Sequence, residues 1–113
     1  MSTRRRTRTA HHRSFERAPR VAEGGVVRRF RDDERSPGWF YGADGEGTAG
    51  YFPIEWFDLD ATGAMATARR DYDAMELTID AGVPVECLAE AAGWMLVRTD
   101  TGAQGWIPLA CLE

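Results

Sequence analysis

One phrase occurs twice in this chain, and it constrains the fold more than any other stretch. "GWFYGADGEGTAGYFP" spans residues 38–53 and "GWMLVRTDTGAQGWIP" spans residues 93–108. Gly38, Trp39, Gly47, Gly50 and Pro53 map onto Gly93, Trp94, Gly102, Gly105 and Pro108 without a gap. Matches at one constant offset signal a duplicated unit. In chemical terms each statement is a β-hairpin. Trp39-Phe40-Tyr41 and Trp94-Met95-Leu96-Val97 are β-prone runs, and Ala49-Gly50-Tyr51-Phe52 and Gln104-Gly105-Trp106-Ile107 are their returning partners. Between them, "ADGEG" and "TDTG" supply the Asp side chains and the Gly conformational freedom that a tight reversal needs. Gly50 and Gly105, inside a strand, mark a bulge or a close backbone approach. Pro53 and Pro108 end the strand, because proline cannot donate to the ladder.

The chain has 113 residues, ordinarily the length of one domain, and the repeat divides it in two. The expected boundaries are a basic N-terminal arm over 1–9, a first copy over 10–58, a linker over 59–67 and a second copy over 68–113. Ala10 aligns with Ala68 at the head of the copies, and the first copy carries extra residues in the polar loop "RDDERSP". In the second copy a strand ends near Tyr72, and Glu76-Leu77-Thr78-Ile79 alternates as a half-buried strand does. Asp80-Ala81-Gly82 turns the chain into Val83-Pro84-Val85-Glu86-Cys87-Leu88, and "LACLE" closes it with a helical turn and a short strand. Five short strands must curl to bury one face. The expected fold class is therefore all-β, two tandem five-stranded barrels with short 3-10 turns. Expected inward residues are Val21, Val27, Phe30, Phe40, Tyr51 and Phe57 in the first copy. In the second they are Leu77, Ile79, Val85, Leu88, Leu96, Trp106 or Ile107, and Leu112.

Charge is unevenly placed. Residues 1–31 hold ten Arg against Glu16 and Glu23, a balance of +8, and residues 32–113 hold four Arg against sixteen acids, a balance of −12. The arm bearing Arg4, Arg5, Arg6, Arg8 and Arg13 could meet nucleic acid, or rest on the acidic body. No apolar run is long enough to span a membrane, and no hydrophobic stretch follows the basic start as a secretory signal requires. The expected compartment is the cytoplasm, with Cys87 and Cys111 reduced and partly buried. No cofactor or metal is implied. His11 and His12 are neighbours that a strand would point to opposite faces. Ser2, Ser14 and Ser36 have no evident base beside them, and no Gly-rich loop joins a strand to a helix. The chain is not expected to be an enzyme.

"ARRDYDA…ELTI…AG…V…GWMLVRTDTGAQGWIP" resembles the Src-homology-3 (SH3) pattern, strongly over 68–113 and more weakly over 10–58. The whole is similar to a bacterial tandem SH3-like protein. The resemblance implies a non-catalytic module that holds an extended, proline-rich peptide in an aromatic groove. It places Trp94 and Trp39 at the groove tryptophan, Pro108 and Pro53 at its proline, and Tyr72, preceded by Asp71, at the second tyrosine of the first strand. Ser14 and Arg13 take the latter two positions in the first copy. The first tyrosine is replaced by Arg70 or His12. The tyrosine beyond the proline is Cys111 in the second copy and Trp56 in the first. The acidic loop that reads a cationic ligand residue is reduced to Asp73, Ala74, Met75 and Glu76.

The implied ligand-binding set is thus Tyr72, Trp94, Pro108, Asp71, Asp73, Glu76, Trp39, Pro53 and Trp56. The expected partner is another protein or a peptide segment, bound through either groove or the cleft between the barrels. An accessory subunit of an enzyme complex is the alternative, and nucleic acid held by the Arg-rich arm a third reading.

Overall fold

The computed structural model describes residues 3–113. In chain order the strands are β1 (Thr3–Arg6), β2 (Arg20–Val21), β3 (Val26–Asp32), β4 (Trp39–Ala43) and β5 (Ala49–Pro53). A 3-10 turn (Ile54–Trp56) leads to β6 (Phe57–Leu59), β7 (Met65–Ala68), β8 (Tyr72–Asp73), β9 (Pro84–Ala91), β10 (Trp94–Thr99) and β11 (Gln104–Pro108). A second 3-10 turn (Leu109–Cys111) follows. There is no α-helix among the described residues, so the all-β class holds.

The repeated phrase folds twice into the same hairpin. Trp39 faces Pro53 across β4 and β5, and Trp94 faces Pro108 across β10 and β11. Each hairpin runs directly into its 3-10 turn, whose first N–H returns to the glycine before the tryptophan: Ile54 N to Gly38 O at 2.8 Å and Leu109 N to Gly93 O at 2.9 Å. The reversals agree too. Gly47 N donates to Asp44 O and Gly102 N to Thr99 O, both at 3.0 Å, with φ of 86° and 94° that glycine adopts without strain.

The chain forms two compact units, and they do not follow the expected boundaries. A continuous unit comprises Arg17–Ala74. A discontinuous unit joins the chain up to Glu16 with Met75–Glu113. Residues 68–74, expected to open the second copy, belong to the continuous unit: β7 pairs with β3 and β6, and β8 pairs with β2. The expected linker over 59–67 is instead the hairpin that returns β7 onto β6. Asp60 makes the turn, its Oδ1 accepting from Thr62 N at 3.1 Å and Thr62 Oγ1 at 2.8 Å. So tight a reversal brings the strands together at small loop-closure cost.

The corresponding place in the discontinuous unit is filled from the N-terminus. β1 pairs with β9, Thr7 bridges Leu112, and His11 bridges Ile79. Residues 3–9 are therefore not a free arm; Met1 and Ser2 of that expected arm lie outside the described residues. Thr7 is fully buried, with Oγ1 donating to Asp80 O at 2.7 Å and accepting from Val83 N at 2.9 Å. Arg4 pairs with Asp100, while Arg5, Arg6 and Arg8 donate to the carbonyls of Glu113, Gly82 and Ala110. Arg4, Arg5, Arg6 and Arg8, which a nucleic-acid reading would offer to phosphate, are committed to this unit's own backbone and acids.

The expected closed five-stranded ladder is found in neither unit among the described residues. The discontinuous unit holds a four-stranded sheet in the order β1-β9-β10-β11. The continuous unit holds a five-stranded sheet, β5-β4-β3-β7-β6, and the short pair β2-β8. Among the described residues no ladder closes a sheet on itself. Glu76 and Ile79, expected in a strand, make only single bridges, to Trp106 and His11.

Val27, Phe40, Phe52 and Phe57 are buried in the continuous unit. Leu77, Ile79, Val85, Met95, Val97, Ile107 and Leu112 form the core of the other. Trp106 and Ile107 are both buried. Phe30 is exposed and Leu88 only half-buried, and both sit at a break in strand pairing. The β3–β4 register shifts between Arg29 and Arg31, and the β9–β10 register passes from Ala89 to Cys87. Each unit therefore has a β-bulge at the residue expected to point in, and the extra residue breaks the alternation. Val21, Tyr51 and Leu96 are half-buried.

Candidate functional site

Hairpin register sets Trp94 at the start of β10 directly opposite Pro108 at the end of β11. Both remain half-buried. Gly93, at φ 93°, lets the chain enter the strand from a two-residue reversal. His11 packs edge-on against Trp94, with ring centroids 5.6 Å apart and planes at 84°. That T-shaped arrangement aligns the positive edge of one ring with the negative face of the other. His11 Nε2 is hydrogen-bonded to Glu76 Oε1 at 2.8 Å. The same oxygen accepts from Ser14 N at 3.2 Å and Ser14 Oγ at 3.1 Å. Half-buried Trp94 and Pro108 thus stand in the discontinuous unit with His11 and Glu76, whose side chains are 15% and 13% exposed, forming a rim that joins an aromatic wall to a carboxylate.

His11 is the member that sequence reasoning missed. Ala68 faces Phe57 and Thr7 bridges Leu112, and Phe57 and Leu112 each directly follow their unit's 3-10 turn. Tyr72 pairs with Val21 and His11 with Ile79. The strand alignment is therefore Thr7 with Ala68 and His11 with Tyr72, rather than Ala10 with Ala68 and Ser14 with Tyr72. The signal available was hydropathy: Thr7 and Ala68 are the small side chains that must go inward, with the basic run on either side of Thr7 facing out.

The other expected ligand residues lie in the continuous unit and are largely used for packing. Tyr72 is buried 21 positions from Tyr51, whose carbonyl accepts from its hydroxyl at 2.8 Å. Its ring packs against Phe52, Trp56 and Phe57. Tyr72 belongs to the continuous unit and is used in that unit's core. Trp39 and Pro53 face each other as their counterparts do, but both are buried. Trp56 is buried with the Arg70 guanidinium 3.9 Å over its ring. Asp71 is exposed, with Oδ1 accepting from Glu23 N at 2.8 Å, and Asp73 stands opposite Arg20.

Both thiols are free, Cys111 buried and Cys87 half-buried. Burial raises the Cys87 pKa above its ordinary value, with Arg5 pulling the other way. Its thiol stays protonated and weakly nucleophilic near neutrality. Among the described residues no three His, Cys, Asp or Glu side chains gather as a metal ion would need, and no helix is long and apolar enough to cross a membrane.

No curated protein and no solved structure matches the chain. The family model of the bacterial SH3 domain matches residues 65–112. This stretch takes in Glu76, Trp94 and Pro108 of the rim together with β7 and β8, and bacterial SH3 domains are generally protein- or peptide-binding modules.

Proposed function

We propose that the chain is a non-catalytic binding module whose Trp94 rim holds an extended peptide segment of a partner protein. The observation that carries this reading is the half-exposed Trp94 ring, opposite Pro108, edge-on to His11 and beside the Glu76 carboxylate. These residues stand in the unit that contains most of the SH3-like stretch. A proline-rich segment in the polyproline conformation offers rings that pack on flat aromatic walls. A cationic residue flanking it would sit near Glu76. The continuous unit is taken as a second copy of the same fold, supported by the shared Trp–Pro register. Its buried Trp39, Pro53, Trp56 and Tyr72 favour one peptide site per chain, in the discontinuous unit.

The test is titration with proline-rich, Arg-containing peptides, read by tryptophan fluorescence. Trp39, Trp56 and Trp106 are buried, so Trp94 dominates any ligand-induced change. Trp94→Ala is expected to weaken binding by about 2 kcal/mol, roughly thirtyfold, as loss of a central aromatic does. Trp39→Phe should leave affinity unchanged. A peptide that binds Trp94→Ala as well as the parent chain would end this reading.

A further inference from the structure

The outward face of the continuous unit's sheet carries a second surface, separate from the Trp94 rim. The bulge in β3 leaves Phe30 without a partner on β4, and its ring is 47% exposed. Phe30 lies 5.7 Å from Tyr41, and Tyr41 lies 5.2 Å from Tyr51, so three rings run in a row across β3, β4 and β5. Two guanidinium groups cap this row. Arg28 is 5.4 Å from the Phe30 centroid and Arg31 is 5.0 Å from that of Tyr41. Arg29, between them in sequence, is committed elsewhere, donating to Asp32 and to the carbonyl of Gly63. No carboxylate meets Arg28 or Arg31 among the described residues. Near Arg28, Val26 is 47% exposed, and Met65, the cross-strand partner of Arg28 on β7, is 37% exposed. Clustered exposure of this kind marks an interaction surface.

A guanidinium held near a ring by cation–π attraction still has N–H donors to offer. Carboxylates need only those donors. Stacked nucleobases would compete with Arg28 and Arg31 for the Phe30 and Tyr41 rings, whereas carboxylates would add to the contacts already there. We propose that this face docks an extended acidic peptide with apolar side chains interleaved among its carboxylates. The carboxylates pair with Arg28 and Arg31, and the apolar groups cover Phe30, Val26 and Met65.

The experiment uses the full chain and a short fluorescein-labelled peptide of alternating Glu and Leu, followed by anisotropy. Saturable binding is expected, weakening as salt is raised. The double variant Arg28→Glu/Arg31→Glu should bind about tenfold or more weakly. Arg28→Gln/Arg31→Gln, a milder change at the same exposed positions, should bind more weakly than the parent at an unchanged thermal midpoint. Phe30→Ser should also weaken binding, and Trp94→Ala should not, which separates this surface from the rim. Four outcomes would overturn the proposal: full affinity in the Gln pair, equal affinity for a Gln/Leu peptide, and tighter binding of oligothymidylate. The fourth is concentration-dependent self-association that the Glu pair abolishes, which would make a second copy the occupant.

Discussion

Asp44 shows how one side chain can organise a loop. Oδ1 accepts from Glu46 N at 3.0 Å and Thr48 N at 2.9 Å, and Oδ2 accepts from Arg20 N at 3.2 Å. Burial pushes this carboxyl up, but the backbone N–H groups of Thr48, Arg20, Glu46 and Gly47 outweigh it and hold the pKa below the ordinary 3.8. A depressed folded pKa adds stability that is present above the unfolded value and is lost as pH falls through the folded one. Urea midpoints of the parent and Asp44→Ala should therefore differ at neutral pH by about 1–2 kcal/mol of stability, and converge below about pH 4. A pH-independent difference would refute the assignment. Ala92 carries a different local cost. At φ 40° it is the one non-glycine residue with positive φ among the described residues. Because Cβ makes that conformation unfavourable, Ala92→Gly should stabilise the chain by about 1 kcal/mol in thermal denaturation. Asp44 was legible as turn chemistry. Ala92 was not, since nothing in "AEAAGW" says which alanine must bend the wrong way.

At the scale of elements, Gly50 and Gly105 are explained by what crosses beside them. A Cβ on Gly105 would lie 2.8 Å from Leu77 N and 2.9 Å from Leu77 Cβ, and one on Gly50 would lie 2.6 Å from Pro19 Cδ. Backbone at that distance cannot yield cheaply. Gly105→Ala should cost about 2 kcal/mol or more by chemical denaturation, whereas Gly45→Ala, in open space, should be close to neutral. The close approach was readable from glycine within a strand, but the identity of the crossing segment was not. The bulges at Phe30 and Leu88 were equally hidden. Alternation along "VVRRF" points Phe30 inward, and only pairing with β4 reveals the extra residue. Thr7 is the clearest case of an element mistaken for a tail. "STRRRTRT" has the composition of a solvated arm, yet Thr7 supplies both a donor and an acceptor to Asp80 and Val83. Thr7→Val retains the shape and removes those bonds, so it should destabilise the discontinuous unit by about 1–3 kcal/mol, measurable by hydrogen exchange in β9.

At the scale of the molecule, connectivity is the principal finding. The continuous unit contains every strand it pairs, so a fragment of residues 17–74 should fold alone and show dispersed amide resonances. A fragment of residues 75–113 lacks β1 and the Thr7 and His11 bridges, and should remain unfolded until residues 3–16 are supplied. Folding of 75–113 by itself would contradict this division. The sequence by itself determined the repeat, the two hairpins with their Trp–Pro pairing, the 3-10 turns and most of the buried side chains. Those features rest on local chemistry: turn residues, proline stops and hydrophobic alternation. Tertiary structure alone decided which strand completes which unit, and hence that His11 packs on Trp94 in one unit while Tyr72 packs in the core of the other. Two equivalent segments, 3–13 and 65–74, could each satisfy the same sheet edges by pattern. The choice between them lies in long-range backbone pairing and in the Asp60 turn that folds β7 back, neither of which leaves a periodic mark in the chain.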